Sequence, residues 1–145
     1  MAQDTYTPLL SEVLKKVHNA KTKSKKVELL KQYDCDSLRM IIKSSFDPKI
    51  EWVIPVGNVP FTPNEAAEGT EHTVLRREAR KLYHFIVGGN NELPKFKKEN
   101  MFIQMLEGLH ISEAELVIAA KDKSLHKVFK GLSENVVKEA FEWND

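Results

Sequence analysis

Four prolines, Pro48, Pro55, Pro60 and Pro63, crowd into one sixteen-residue window of the stretch SFDPKIEWVIPVGNVPFTPNE. Proline has no backbone donor and a fixed φ, so no helix crosses Pro55 to Pro63 and any strand there is confined to an edge. Ile50, Trp52 and Ile54 alternate with Glu51 and Val53, a weak period of two that predicts a short strand. Gly57-Asn58 is turn chemistry, and Val59-Pro60-Phe61 is placed to return as a second extended arm. A polar loop follows from Thr62 to Thr70.

On either side of this window the apolar residues recur at helical spacing. Thr7 and Pro8 have the chemistry of a cap and a first helical residue, followed by Leu10, Val13, Leu14 and Val17 on one face. Val27, Leu30 and Tyr33 mark a second helix, capped by Thr22 or Ser24. Asp34 or Asp36 opens a third that carries Leu38, Ile41 and Ile42. That helix stops by Asp47, because the residue before a proline is pushed out of the helical region. From Thr73 to Val87 the stripe is Leu75, Ala79, Leu82 and Ile86, with Gly88-Gly89 as its stop. Pro94 opens a helix with Phe102, Met105, Leu106 and Leu109 on one side. Ser112 and Glu115 have capping-box spacing, with Ile111 and Leu116 placed as a staple. A short helix spans Leu125 to Phe129, and a last one, capped by Ser133, carries Val136, Val137, Ala140 and Phe141.

These spacings predict an all-α fold: a single helical domain over residues 1–145, a bundle of six or seven helices with one short extended, hairpin-like excursion near residues 49–61. At 145 residues such a chain can bury a core without a metal or a disulfide. Cys35 is its single cysteine, which fits a reducing cytoplasm. No window is apolar enough to span a bilayer, and MAQDTYTPLL lacks the basic leader and apolar core of a secretory signal.

Catalytic and metal chemistry find little footing. None of the five histidines lies three or four residues from another, so no helix face offers a paired metal site. Cys35 sits between Asp34 and Asp36, which disfavour a thiolate. Ser44-Ser45 lacks a nucleophile elbow, and no glycine-rich loop leads into a helix with a following Lys-Ser or Lys-Thr. The expectation is a non-enzymatic protein with no cofactor and no metal.

Binding has more support. If the proline window folds home, each large apolar side chain it buries contributes about 1.5–3 kcal/mol. Ile50, Trp52 and Ile54 are expected to do so. Val56, Val59 and Phe61, with Trp143 near the C-terminus, are the candidates for receiving a protein partner. A second surface is basic: Arg76, Arg80 and His84 fall on one α-helical face, flanked by Arg77 and Lys81, with Lys95, Lys97 and Lys98 shortly after. Arginine suits phosphate and an exposed Tyr83 suits base stacking, so nucleic acid is the alternative partner. The net charge of +1 gives little long-range steering toward it.

The segments SFDPKIEWVIPVGNVPFTPNE, LRREARKLYHFIVGG, MFIQMLEGLHISEAELVIAAKDKSL and GLSENVVKEAFEWND together resemble an uncharacterised family of small proteins of tailed phages, especially T-even-like phages of marine cyanobacteria. The resemblance runs over nearly the whole chain. It is most specific at Asp47-Pro48, at Ile54-Pro55-Val56-Gly57 and from Met101 to Leu125. It implies a phage-encoded protein working in the infected bacterial cytoplasm. The family carries no established activity, so no functional residue transfers. The expected role is binding of a host or phage protein through the proline segment and an adjacent helix. Self-association through the same segment, giving a homo-oligomer, is a third reading.

Overall fold

The helix with the least polar circumference lies at the centre. Helix α6 (Ile111–Lys121) buries Glu113, Ala114, Leu116, Val117, Ala119, Ala120 and Lys121, more than half of its circumference. A helix apolar over so wide an arc has to be surrounded. In the computed structural model, which describes residues 9–55, 57, 59–62 and 74–143, it is packed against α1 (Leu10–Asn19), α3 (Asp36–Phe46), α5 (Lys95–Gly108) and α7 (Leu125–Val128). Helices α2 (Lys23–Gln32) and α8 (Glu134–Phe141) pair with each other, α2 leaning on α1 and α8 on α3. Among the described residues the architecture is all-α, with one isolated antiparallel bridge between Trp52 and Ile86.

Most helix faces follow their apolar spacing. Leu10, Val13, Leu14 and Val17 are fully buried on α1, as are Leu38, Ile41 and Ile42 on α3 and Phe102, Leu106 and Leu109 along α5. Thr22 caps α2 by accepting the Lys25 N–H at 3.1 Å, and Ser133 caps α8 by accepting the Val136 N–H at 3.3 Å. Helix α3 stops at Phe46 with Asp47 extended. Its N-cap position is held by Cys35, not by Asp34 or Asp36, and no side chain bonds there. Pro94 stands one position before α5, at its N-cap. Thr7, Pro8, Val56, Asn58 and the polar loop beyond Thr62 lie outside the described residues.

Two local readings are corrected. His110, not Ser112, is the N-cap of α6, its Nδ1 accepting the Ser112 N–H at 3.1 Å. Ser112 instead turns its hydroxyl to Ser11 at 2.8 Å, and Glu115 is exposed. The second correction concerns the stripe over 75–86. After one α-helical turn, α4 (Leu75–Glu78), the chain tightens into a 3₁₀ helix over Ala79–Phe85. With about three residues per turn, side chains three apart eclipse. The buried set is therefore Leu75, Ala79, Leu82 and Phe85. Ile86 is released from the helix and becomes the bridge residue opposite Trp52.

One buried carboxylate ties three helices. Glu113 on α6 has no exposed surface, and its two oxygens accept the backbone N–H of Leu10 at 3.0 Å and of Leu75 at 2.9 Å. These are the first residues of α1 and α4, where helix N–H groups lack internal partners and the helix dipole favours negative charge.

Candidate partner-binding loop

The proline segment leaves α3 through a turn in which Asp47 accepts the Lys49 N–H at its side chain and the Ile50 N–H at its carbonyl. It then runs extended beside the residues that follow the 3₁₀ helix. Val53 N–H donates to Phe85 O at 2.7 Å, and Val87 N–H donates to Glu51 O at 2.8 Å. The segment thus finds its antiparallel neighbour in residues 85–87. The Trp52 indole N–H donates to Ser44 O at 3.0 Å, and its ring meets Phe102 edge-on at 6.2 Å. Ile54 is buried, whereas Ile50 and Trp52 are half-buried.

Beyond Ile54 the loop is held by a lysine. The side chain of Lys121, at the last turn of α6, has no exposed surface. Its ammonium donates to Pro55 O at 2.7 Å, Gly57 O at 3.0 Å and Asp122 Oδ1 at 2.5 Å. Asp122 Oδ1 also accepts the Gly57 N–H at 3.1 Å. A buried ammonium needs its three donors satisfied, and here two acceptors are carbonyls of the loop itself. Lys123 makes a parallel contact, donating to Asp47 O at 2.6 Å; burial pushes its ammonium below the ordinary lysine range, against the pull of Asp47 and Glu51. At the far end, Thr62 N–H donates to Glu107 of α5 at 2.8 Å.

Held this way, the loop stands off the body and leaves a concavity on each side. Between loop and α5 is a cleft of about 270 Å³, lined by Ile54, Pro55, Val59, Pro60, Glu99, Phe102 and Ile103. Among the described residues, Glu99 is the one charged residue of that lining. On the other side a space of about 520 Å³ is bounded by Pro48, Ile50, Glu51, Trp52, Ile54, Pro55, Lys121 and Lys123. Val59 and Phe61 are half-buried against the core, and Val59 faces the first cleft. Trp143 is elsewhere. It packs on Phe141 at 5.4 Å beneath the Lys43 ammonium, beside Phe46 and Pro48.

A family model described as a family of unknown function (DUF6433) matches residues 13–127. The chain belongs to the DUF6433 family. The part shared with DUF6433 takes in the proline loop, α5, α6 and Lys121, and ends before α8 and Trp143. No curated protein and no solved structure matches the chain.

The basic residues of this DUF6433 chain divide into different environments. Arg76 is half-buried, with Nη1 3.1 Å from the Cys35 sulfur, and its carbonyl accepts the Ser37 hydroxyl at 2.6 Å. Lys98 is buried, which takes it out of any open surface. Lys81 pairs with Glu78 at 3.0 Å. Arg77, Arg80, Lys95 and Lys97 are exposed. The α-helical grouping of Arg76, Arg80 and His84 does not survive the 3₁₀ tightening, since residues four apart on such a helix diverge by roughly 120°.

A concavity of about 550 Å³ that no sequence pattern marks lies beside α1, with Ser11, Lys15, Lys16, His110 and Ser112 in its wall. Ser11, Ser112 and His110 form a hydrogen-bonded chain there, with Ser112 Oγ 2.7 Å from His110 Nδ1. The same Nδ1 receives the Ser112 backbone N–H, so this ring nitrogen is engaged by the helix cap. Among the described residues no three His, Cys, Asp or Glu side chains converge on a metal position. No helix there is long and apolar enough to cross a membrane.

Proposed function

We propose that the chain is a non-enzymatic binding protein, encoded by a phage and acting in the infected bacterial cytoplasm, that engages a host or phage protein through the proline loop and α5. The observation that carries this reading is the apolar cleft between Val59-Pro60 and Phe102-Ile103, whose outer wall is pinned by a buried lysine. A preformed cleft lowers the ordering cost of association, and its prolines keep the loop from adding further strands. The chemistry suits a short apolar segment of the partner, with a donor placed for Glu99. The phage setting rests on the resemblance of the four quoted segments.

The test is capture from infected-cell lysate with wild type, with Val59→Lys plus Ile103→Lys in the cleft, and with Lys127→Glu plus Lys130→Glu on an exposed surface outside the cleft lining. The reading predicts a captured protein lost only in the cleft variant, with that variant's melting temperature within a few degrees of wild type. Equal capture by all three removes the cleft from the interface. Concentration-dependent dimerisation of the wild type, abolished by the cleft variant, would assign the same cleft to self-association.

A further inference from the structure

The tightening of residues 79–85 builds a surface that α-helical spacing hides. Arg80 and Tyr83, three apart on the 3₁₀ helix, eclipse, and Arg77 one turn earlier lies close to the same ridge. All three are exposed, Tyr83 at 51%. The tyrosine ring is backed by His84, whose ring centroid is 4.0 Å away at an interplanar angle of 34°. His84 is held in turn by Asn90, with Nδ2 3.0 Å from Nδ1. The backing depends on a tight turn: Gly88 has φ +87°, and a Cβ on Gly89 would lie within 1.9 Å of the Tyr83 carbonyl oxygen.

The adjoining helix repeats the chemistry. Phe96, 61% exposed, stands between exposed Lys95 and Lys97 on the first turn of α5. Helix α5 packs on the 3₁₀ helix, with Phe102 edge-on to Phe85 at 5.2 Å. Residues 74–100 hold seven Lys and Arg against three Glu, in a chain whose net charge is +1. Glu78 and Lys81 pair with each other and Lys98 is buried, which leaves Arg76, Arg77, Arg80, Lys95 and Lys97 against Glu92 and Glu99.

We infer that the Arg77–Arg80–Tyr83 ridge, with Lys95, Phe96 and Lys97 on the adjoining helix α5, binds single-stranded nucleic acid, the arginines taking phosphates and Tyr83 stacking on an unpaired base. Charge alone would suit an acidic peptide equally. The open aromatic at the end of the ridge, held in place by His84 and Asn90, is what favours a strand with exposed bases. This surface is distinct from the proline cleft, so it stands or falls separately from the function proposed above.

The experiment measures fluorescence anisotropy of labelled oligonucleotides of about 16 nucleotides, single-stranded DNA and single-stranded RNA in separate arms, from about 50 to 200 mM salt. Binding in either arm is expected, and the stronger arm identifies the strand. Arg77→Glu with Arg80→Glu is expected to weaken it more than about tenfold and to reduce the log–log salt slope by roughly 1.4. Tyr83→Ala is expected to weaken it roughly 5- to 150-fold, the span of base–aromatic stacking. Lys127→Glu with Lys130→Glu makes the same charge change elsewhere on the surface and is expected to leave binding within about twofold. Absence of binding at the lowest salt overturns the inference, as does equal loss in the two charge-reversal variants. Unchanged affinity in Tyr83→Ala also overturns it, and binding of poly-glutamate but of neither oligonucleotide assigns the surface to an acidic protein instead.

Discussion

The ammonium of Lys121 lies 2.7 Å from the carbonyl oxygen of Pro55, donated from a side chain with no exposed surface. An α6 residue thereby dictates where the proline loop sits. Lys121→Met keeps the aliphatic stem but strands the Pro55 and Gly57 carbonyls and the Asp122 carboxylate. Because Asp122 keeps some solvent, the cost is expected at about 2–4 kcal/mol, at the lower side of what breaking a buried pair costs. Urea denaturation of the two proteins measures it, and a loss below the usual surface-mutation range would mean the lysine anchors nothing.

Glu113 is a second buried anchor whose replacement is expected to be costly. Glu113→Gln keeps one acceptor oxygen but turns an amide N–H₂ toward a helix N–H, forfeiting a charged hydrogen bond worth about 1.5–3 kcal/mol. Glu113→Ala, which leaves both Leu10 and Leu75 N–H groups without this acceptor, is expected to cost more than Gln. Chemical denaturation of both variants checks that order.

The 3₁₀ register makes a prediction opposite to that of a regular α-helix. Phe85 is 1% exposed and Ile86 is half-buried in the bridge. Phe85→Ala is expected to cost about 3–5 kcal/mol, and Ile86→Ala roughly 1–2 kcal/mol. A larger loss at Ile86, measured by thermal or urea melts, would return the segment to α-helical spacing.

Asp34 gives a pH dependence of known sign. Arg39 donates through Nε at 2.7 Å and Nη2 at 2.6 Å to its two oxygens, and this hydrogen bonding holds the carboxyl below the ordinary aspartate range. The folded state then binds the proton less well than the unfolded one. The stabilisation is therefore present above the unfolded value of about 4 and fades as pH falls through the lower folded value. Both side chains are solvent-exposed, so Asp34→Asn is expected to cost less than about 1 kcal/mol at neutral pH. The difference from wild type should shrink toward zero in acid. Urea midpoints taken from neutral pH downward follow it, and a gap that stays constant would detach it from this carboxyl.

What the sequence reveals here is mostly local. The faces of α1, α3 and α5, the cap at Ser133 and the stop at Asp47 follow from spacing and from proline sterics, and of the two caps open to α2 the structure uses Thr22 and not Ser24. The 3₁₀ helix was not legible because Phe85 and Ile86 are adjacent and both apolar, so either completes a stripe from Leu82. Ser112 and Glu115 imitate a capping box, but the Ser112 hydroxyl is taken by the Ser11 hydroxyl of α1 and by His110 Nδ1. Lys121 reads as one charge among several in AAKDKS. Its partners are 64 and 66 residues away in the chain, beyond the reach of any local pattern. The cleft beside Pro60 was half legible: the prolines mark the loop, but nothing in them names Phe102 and Ile103 as its opposite wall.

Amide hydrogen exchange at Gly57 tests most directly the claim that the loop is fixed to α6. Its N–H donates to Asp122 Oδ1 at 3.1 Å, within the cluster that Lys121 holds together. The account predicts a protected Gly57 amide in the wild type and lost protection in Lys121→Met, with the α6 amides unchanged. A Gly57 amide that already exchanges in the wild type as fast as an unstructured chain would contradict it.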